Sequence, residues 1–285
     1  MEKIVFTDLW ERYFQRFGLS SFDDLYSLPE TLLVNKNKKR NVLKFTLGED
    51  GNRKTFFIKR FHDPYLKDMF AAACKFGFPT SQAHVEWKNA HHLLSNDIET
   101  YKPVCFGERT RMGIETKSFI VTEQLDSKCL LEFVIESWQL LGGTLQEKII
   151  VAVAKLARRI HDLDISFPDL YLWHLFIRLD SLAADLQLSI IDLHRMSQGI
   201  RTSRRKIKEL GRLHWSMSTD YFSDEHKSLF ITAYRGNNLS LDTEALMKIV
   251  RKCSVDLDRK RPLSQYYRLD NANVCEAGCV SVQNI

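Results

Sequence analysis

The sequence predicts an α+β protein with two lobes, in which a β-rich N-terminal lobe precedes a mostly helical C-terminal lobe. Up to about residue 125, short apolar or alternating runs dominate, which are typical of antiparallel strands. Beyond that point apolar residues recur at helical spacing. The 285 residues suffice for two buried cores. We therefore expect an N-terminal lobe at 1–125, a helical lobe at 126–269 and a disordered tail at 270–285.

The first thirty residues predict a helix that ends at Gly18. One face of this helix is apolar and mostly aromatic, and it consists of Leu9, Tyr13, Phe14 and Phe17. An exposed aromatic face on this leading helix would suit peripheral docking on a membrane.

The rest of the N-terminal lobe predicts an antiparallel meander and one helix. The helix is expected at about 81–94, with Thr80 and Ser81 as candidate N-caps. A Gly-Glu-Asp-Gly sequence at 48–51 predicts a turn between two strands. The strand-like segments are 31–34, 42–47, 55–61, 101–106 and 118–125.

The C-terminal lobe predicts helices that are interrupted by a β-hairpin. Apolar residues from Leu145 to Ile160 are spaced for one buried helical face. Segment 167–193 predicts the hairpin, with apolar strands at 175–179 and 188–193. Further helices are expected at about 203–217, 224–235 and 242–253.

The composition is that of a globular protein without a membrane span. Apolar residues make up 44% and charged residues 27% of the chain. The longest apolar run, at 149–154, is far too short to cross a bilayer, and the N-terminal segment does not have the pattern of a secretory signal. We therefore expect a cytoplasmic protein with reduced cysteines, although Cys275 and Cys279 are close enough in sequence to pair or to bind a metal.

The net charge of +5 is concentrated in two basic runs, at 35–44 and 201–212. Such runs are most often solvated faces, and the functional alternative is an anionic partner such as phosphates, nucleic acid or an anionic membrane surface. Because no nucleic-acid-binding module is recognisable, nucleic acid is the least favoured of these partners.

Two aspartates flank the predicted hairpin. Asp169 precedes the first strand and Asp192 ends the second, so both emerge at the same end of the ribbon, and His174 lies between Asp169 and the first strand. Phosphoryl transfer needs a carboxylate that receives a hydroxyl proton and separate ligands for the metal that holds the nucleotide phosphates. The hairpin therefore favours a phosphotransferase. The alternative for His174 is a packed loop histidine that is bonded to the main chain.

A lysine and a glutamate of the N-terminal lobe each lie among apolar neighbours. Lys59 shares one side of its strand with two phenylalanines, and Glu86 shares its helix face with alanines and a leucine. A carboxylate in such surroundings destabilises the fold unless it is paired. Lys59 and Glu86 would satisfy each other, and such a pair holds the lysine of a kinase against nucleotide phosphates. In isolation, an edge-strand lysine is an equally good interpretation.

Several segments resemble one enzyme family. They are DLYLWHLFI followed by IIDLHRM, FFIKRF, HVEWKNAHHLL, KPVCFGE and KELGRLHWSM. Together they resemble the lipopolysaccharide core heptose kinases and Kdo kinases, small relatives of eukaryotic protein kinases, over about residues 30–255. The histidine of DLYxxHxF is fairly specific, because most other kinase-like folds use asparagine there. The resemblance implies a bilobal protein-kinase-like fold and an ATP-dependent kinase for a sugar hydroxyl of the lipopolysaccharide inner core.

The resemblance also implies roles for individual residues. Asp169 would orient and deprotonate the acceptor hydroxyl, while His174 and Asp192 would hold Mg²⁺ or contact phosphate. Lys59 would bind the α- and β-phosphates of ATP, and Glu86 would hold Lys59.

The strand at 122–125, which includes Glu123, would contact adenine through its main chain. The phosphate loop at 35–41 contains no glycine, so Lys38, Lys39 and Arg40 would compensate by charge or form a patch that faces a membrane.

The segment before the proposed base departs from the family pattern. Phe167 and Pro168 stand where His-Arg or His-Lys is usual. Phe167 would then have to brace the loop by packing, and Pro168 cannot neutralise phosphate charge. Two alternatives to the sugar kinase follow, a pseudokinase that binds nucleotide or a partner without turnover and a kinase for a soluble small molecule.

The resemblance also implies the partners of the protein. They are a lipid-anchored lipopolysaccharide core acceptor and the anionic cytoplasmic surface of the inner membrane, on which the protein would dock peripherally.

Overall fold

The computed structural model describes residues 1–7, 9–29, 33–36, 39–49, 51–62, 80–112, 114–237 and 242–267. The chain divides into two compact units, one over Met1–Leu125 and a second that starts at Asp126. The predicted α+β class is confirmed, because the first unit is built on a six-stranded sheet and the second is mostly helical. The predicted tail at 270–285, with Cys275 and Cys279, lies outside the described residues.

The N-terminal unit contains one sheet in which every neighbouring pair of strands is antiparallel. Its strands are β1 (Glu2–Phe6), β2 (Leu33–Lys36), β3 (Arg40–Leu47), β4 (Lys54–His62), β5 (Pro103–Arg111) and β6 (Ile114–Glu123). They lie in the order β1-β5-β6-β4-β3-β2. The helices of this unit are α1 (Trp10–Arg16), α2 (Phe22–Tyr26) and α3 (Gln82–Leu94).

One face of the sheet carries an aromatic core. Phe56 and Ile58 of β4 are completely buried there. Helix α1 packs on this face, with the ring centroids of Phe14 and Trp10 lying 5.1 and 5.2 Å from that of Phe56. The expected exposed aromatic face on the first helix is therefore only partly correct: Phe14 is buried against the sheet, where burial stabilises the unit, whereas Leu9 and Phe17 are exposed.

The start of the chain also differs from the prediction. Residues expected in a helix form β1, which pairs with β5, so that Ile4 lies opposite Gly107. The helix begins only at Trp10, which leaves Leu9 87% exposed. The predicted stop at Gly18 is confirmed by its positive φ of 71°.

Helix α3 matches its predicted span closely. Ser81 is its N-cap, and the side chain of Ser81 accepts a hydrogen bond from the N–H of His84. Its buried residues include Ala83, Glu86 and Ala90, so the apolar face predicted from spacing is the face that packs.

The C-terminal unit contains a small sheet and several helices. The strands β7 (Lys128–Cys129), β8 (Leu175–Ile177) and β9 (Leu188–Ile190) lie in that order. The helices are α4 (Leu130–Ser137), α5 (Gly143–Asp162), α6 (Ser203–Trp215), α7 (Asp224–Arg235) and α8 (Thr243–Asp258). In the part of the chain that the structure describes, no helix combines the length and apolar character needed to cross a membrane.

The predicted hairpin is present with shorter strands. Leu175 lies opposite Ile190, and Ile177 lies opposite Leu188. The last residue of each predicted strand instead begins a 3₁₀ turn, and these turns are Leu179–Ser181 and Leu193–Arg195. The 3₁₀ turn after β9 sets the direction of the side chains that follow Asp192, which are those of His194 and Arg195.

Candidate active site

The N-terminal unit places Lys59 and Glu86 in contact. Nζ of Lys59 lies 3.0 Å from Oε2 and 3.2 Å from Oε1 of Glu86. Both residues are buried, and the hydroxyl of Tyr101 also donates a hydrogen bond to Oε1 of Glu86 across 2.6 Å. Removing one partner of such a buried pair strongly destabilises the fold, because the other charge stays buried without compensation. The geometry fixes one lysine ammonium on β4 through one carboxylate on α3.

The other N-terminal residues singled out from the sequence are placed less specifically. Lys39 lies in a bend before β3, and its carbonyl accepts a hydrogen bond from the N–H of His62 across 2.9 Å. Lys38 lies outside the described residues. Glu123 ends β6, and its main-chain N–H donates to the carbonyl of Lys102 across 3.0 Å.

The C-terminal unit gathers Asp169, His174 and Asp192 at one end of the β8–β9 ribbon. All three are at least nine-tenths buried. Nδ1 of His174 donates to the carbonyl of Asp169 across 2.6 Å, and Nε2 lies 3.9 Å from Oδ2 of Asp192. The carbonyl of His174 also accepts from the N–H of Ile191 across 3.0 Å. His174 therefore links the loop that carries Asp169 to the strand that leads into Asp192.

The Asp192 carboxylate in this arrangement fits a magnesium ion, whereas the His174 imidazole is a ligand type more usual for other metals. Nδ1 of His174 carries the proton that it donates to a carbonyl, which leaves Nε2 as the ring nitrogen available to a ligand, and that buried atom has no hydrogen-bond partner among the described residues. Asp192 adds a carboxylate oxygen, the ligand type that Mg²⁺ prefers. Protein sites usually supply only one or two ligands to Mg²⁺ and leave the rest to phosphates and water.

Asp192 has a left-handed backbone conformation, with φ 64° and ψ 59°. Such a conformation in a residue other than glycine is unfavourable by about 1–3 kcal/mol and clusters at functional sites. Nδ1 of His194 donates to Oδ1 of Asp192 across 2.8 Å. The strained backbone and this hydrogen bond together fix the direction of the Asp192 carboxylate.

Asp169 is paired with an arginine. Nη1 of Arg195 donates to Oδ1 of Asp169 across 2.8 Å, while Oδ2 of Asp169 has no hydrogen-bond partner among the described residues. Because Pro168 cannot supply a cation, this guanidinium is the positive charge that stands beside the proposed base.

A buried glutamate of α6 braces the loop that carries Asp169. Oε2 of Glu209 accepts hydrogen bonds from the N–H of Phe167 and from Nε2 of His161, and Oε1 accepts from the hydroxyl of Ser166 across 2.5 Å. Burial alone would raise the pKa of Glu209, but these three hydrogen bonds outweigh it and lower the pKa below its ordinary value. Phe167 itself is 1% exposed, so packing and this acceptor hold the loop together.

Sequence reasoning missed Glu209, Arg195 and His194. Glu209 carries the same signal that identified Glu86, a carboxylate on the apolar face of a helix beside residues such as Leu213. Arg195 and His194 lie inside the IIDLHRM segment that resembles the family, but neither has a separate signal of its own in the sequence.

Comparison with known proteins gives a consistent result. The model of the lipopolysaccharide kinase (Kdo/WaaP) family matches residues 28–234. The lipopolysaccharide core heptose(I) kinase WaaP of Escherichia coli K12 is 26% identical over 231 residues, which cover 79% of this chain and 86% of that protein. The enzyme of the same name from Pseudomonas aeruginosa is 29% identical over 161 residues, which cover 55% of this chain and 60% of that protein.

A solved structure supports the fold. It is described as WaaP in complex with acyl carrier protein, and it superposes with a TM-score of 0.67 and 22% identity over 93% of this chain and 100% of that one. At this identity the likeness bears on the fold alone, and it confirms the predicted kinase-like architecture. Since the family model spans most of the sequence, the chain belongs to the lipopolysaccharide kinase (Kdo/WaaP) family.

Proposed function

We propose that this protein transfers the γ-phosphate of ATP to a hydroxyl of a heptose in the lipopolysaccharide inner core. Membership of the family makes the chain an ATP-dependent sugar kinase of the lipopolysaccharide core. The names of the curated relatives, heptose(I) kinases, support heptose as the acceptor sugar. The observation that carries the residue assignments is the buried group of Asp169, His174 and Asp192 at one end of the hairpin.

Asp169 acts on the acceptor. Its Oδ2, which makes no hydrogen bond among the described residues, accepts the proton of the sugar hydroxyl as that oxygen bonds to the γ-phosphorus and ADP leaves. Oδ1 stays paired with Arg195, so the carboxylate keeps its orientation. The guanidinium also places positive charge where negative charge builds up during transfer.

The other residues bind and orient the nucleotide. Asp192 and His174 would hold Mg²⁺, which neutralises phosphate charge when it is bound. Lys59, held by Glu86, binds the α- and β-phosphates, and Lys38 and Lys39 add charge to the glycine-free phosphate loop.

Adenine recognition is assigned to main-chain groups around Glu123. The N–H of Glu123 is already bonded to Lys102 within the sheet, so this residue offers its carbonyl.

We propose that the protein acts at the anionic surface of the inner membrane. Several cations of the basic run at 201–212 are exposed on α6, namely Arg204, Arg205 and Lys208. Two other cations of this run, Arg201 and Lys206, form ion pairs with Asp164 of the same unit. A lipid-anchored acceptor in an anionic leaflet would draw such a surface towards it.

A phosphate-transfer assay tests the function. The acceptor is lipopolysaccharide from a strain without its heptose kinase, and the product is read by mass spectrometry as the gain of phosphate on heptose. Wild type should transfer phosphate with Mg·ATP, and Asp169→Asn should lower turnover by about 10²–10⁴-fold while still binding ATP. Mg·ATP-dependent thermal stabilisation without transfer would indicate a pseudokinase. Phosphorylation of a soluble sugar, and not of the core, would indicate a small-molecule kinase.

A further inference from the structure

A second buried carboxylate lies at the start of α3. Glu115 of β6 is 4% exposed. Its Oε2 accepts from the N–H of Gln82, the first residue of α3, across 3.1 Å, and its Oε1 accepts from the hydroxyl of Ser118 across 2.5 Å. Oγ of Ser118 in turn accepts from the N–H of Ala83 across 3.4 Å. Two β6 side chains therefore satisfy the first N–H groups of the helix, which have no partner within it.

An irregularity in β6 makes this contact possible. Arg109 lies opposite Lys117 and Thr110 lies opposite Glu115, so one extra residue, Thr116, is inserted into β6. Residues three apart in a regular strand face opposite sides of a sheet, whereas the bulge brings Glu115 to the side of Ser118.

This side of the sheet is the one that carries Lys59. Ser118 lies opposite Phe61, and Ile120 lies opposite Lys59, in the antiparallel register of β4 and β6. Residues directly opposite each other in a sheet point to the same face. Glu115 and Lys59 therefore both face α3.

Helix α3 transmits the position of its first turn to Glu86. Gln82 and Glu86 are four residues apart and lie on one face of the helix, one turn from each other. A shift of the first turn away from β6 would carry the Glu86 carboxylate away from its 3.0 Å contact with Lys59.

We propose that Glu115 is a positioning residue, whose ionised carboxylate clamps the first turn of α3 to β6 and so sets Glu86 against Lys59 for catalysis. This inference rests on the proposed role of the Lys59–Glu86 pair. The clamp requires charge, because negative charge is favourable at a helix N-terminus and a protonated carboxyl loses that interaction.

The clamp titrates near neutrality. Burial raises the pKa of Glu115 from 4.5 to about 7 against the opposing hydrogen bonds from Ser118 and Gln82, and the charge of Glu108 on β5 acts in the same direction as burial. The α3 group that binds the carboxylate, the main-chain N–H of Gln82, carries no charge. Because the folded-state pKa is the higher one, ionised Glu115 lowers folding stability as the pH rises from 4.5 to about 7, and the loss is constant above that.

Because ionised Glu115 lowers folding stability, a positioning role of this residue can be distinguished from a purely structural one. Above neutrality, a neutral isostere should keep or raise stability while it weakens the clamp. Activity and stability then respond in opposite directions to Glu115→Gln.

The experiment measures kcat and KM for ATP between about pH 6 and pH 9, with thermal unfolding at the alkaline end. Wild-type kcat should fall as the pH drops through about 7. Glu115→Gln should show a kcat that is roughly three- to tenfold lower at alkaline pH, without loss of thermal stability. Its kcat should also no longer fall as the pH drops through about 7. Glu108→Gln is the matched control. It should keep the alkaline kcat, and the fall of kcat on the acidic side should move to lower pH, because the charge of Glu108 raises the pKa of Glu115.

Two outcomes would overturn the inference. Glu115→Gln with a wild-type pH profile would exclude a role for the charge, and parallel loss of activity and thermal stability would leave a structural role only. Lys59→Met in the same assay separates this inference from the proposed function. If Lys59→Met is inactive and Glu115→Gln is wild-type, only the clamp fails; if Lys59→Met is active, the proposed role of the pair fails and the clamp fails with it.

Discussion

Arg195 and Asp169 form an ion pair within the C-terminal unit, with Nη1 of the arginine 2.8 Å from Oδ1 of the aspartate. The side chain of Arg195 is 56% exposed while that of Asp169 is 12% exposed, so the pair joins a largely buried carboxylate to an arginine that reaches solvent. The two residues before Asp169, Phe167 and Pro168, carry no charge, and the turn after Asp192 supplies a cation to Asp169. Catalytic competence is therefore compatible with Pro168.

Replacing Arg195 should damage turnover more than binding. Arg195→Gln removes the charge and one hydrogen bond from Asp169, and we expect kcat to fall by roughly 10- to 100-fold with little change in KM for ATP. Arg195→Lys should recover only part of this, because an ammonium does not reproduce the fork of the guanidinium. Steady-state kinetics with the lipopolysaccharide core measure both.

Arg201→Gln is the matched control for this prediction. Arg201 is also an exposed arginine that is paired with an aspartate of the same unit, Asp164. Equal losses from Arg195→Gln and Arg201→Gln would show that general electrostatics, and not the contact with Asp169, is responsible.

Removing the charge of Glu209 should loosen the loop around Asp169. Glu209→Gln cannot accept all the hydrogen bonds from Phe167, Ser166 and His161, so we expect a loss of about 1–3 kcal/mol in the free energy of unfolding. Hydrogen exchange at the Phe167 amide should become faster. Lys208→Gln, on the exposed side of the same helix, should change neither quantity, and unchanged exchange in Glu209→Gln would contradict the brace.

The Lys59–Glu86 pair should behave differently in stability and in activity. Lys59→Met leaves the Glu86 carboxylate buried and uncompensated, so we expect a loss of about 3–5 kcal/mol. Adding Glu86→Gln should recover most of that stability, because the uncompensated charge is gone. Phosphate transfer should stay absent in the double variant. A double variant with restored transfer would show that the pair serves the fold and not the phosphates of ATP.

His174 should be replaceable by the residue that most other kinase-like folds use. Asn can keep a donor for the Asp169 carbonyl and offer its oxygen to the Mg²⁺ that Asp192 would bind, so His174→Asn should retain measurable transfer with a changed dependence on Mg²⁺ concentration. His174→Leu should lose transfer. Metal titrations followed by activity and by thermal unfolding separate ligand loss from loss of the fold. Full activity of His174→Leu would remove His174 from the metal assignment.

Membrane docking should depend on salt and on α6. Raised salt should weaken binding to anionic vesicles, and neutralising Arg204, Arg205 and Lys208 should weaken it by about 1 kcal/mol for each charge. Sedimentation with vesicles that contain phosphatidylserine measures this. Binding that is indifferent to salt would contradict the docking surface.

The control for that measurement keeps the net charge equal. Three exposed cations of or directly after α8, Lys252, Arg259 and Lys260, are neutralised instead. This variant should bind the vesicles like wild type. Equal weakening in both variants would show that total charge, and not the α6 surface, drives binding.

Much of the architecture follows from local pattern. The alternation in β4 separates Phe56 and Ile58, in the aromatic core, from Lys59, because side chains of a strand point to alternate faces. The capped, one-sided pattern of α3 places Glu86 on its buried face. The two apolar runs of the hairpin bring Asp169 and Asp192 to one end. Periodicity of two or 3.6 residues is enough for these inferences, since each uses neighbours in sequence.

The remaining features depend on pairings between distant residues. Strand β1 exists because β5 offers it an edge, with Glu2 opposite Arg109. Glu209 reaches the N–H of Phe167 from 42 residues away, and Arg195 reaches Asp169 from 26 residues away. The bulge that turns Glu115 towards α3 is visible only in the register of β5 and β6. Local sequence decided which residues could carry the chemistry; tertiary structure decided what holds each of them, because those hydrogen bonds form only when distant segments are packed together.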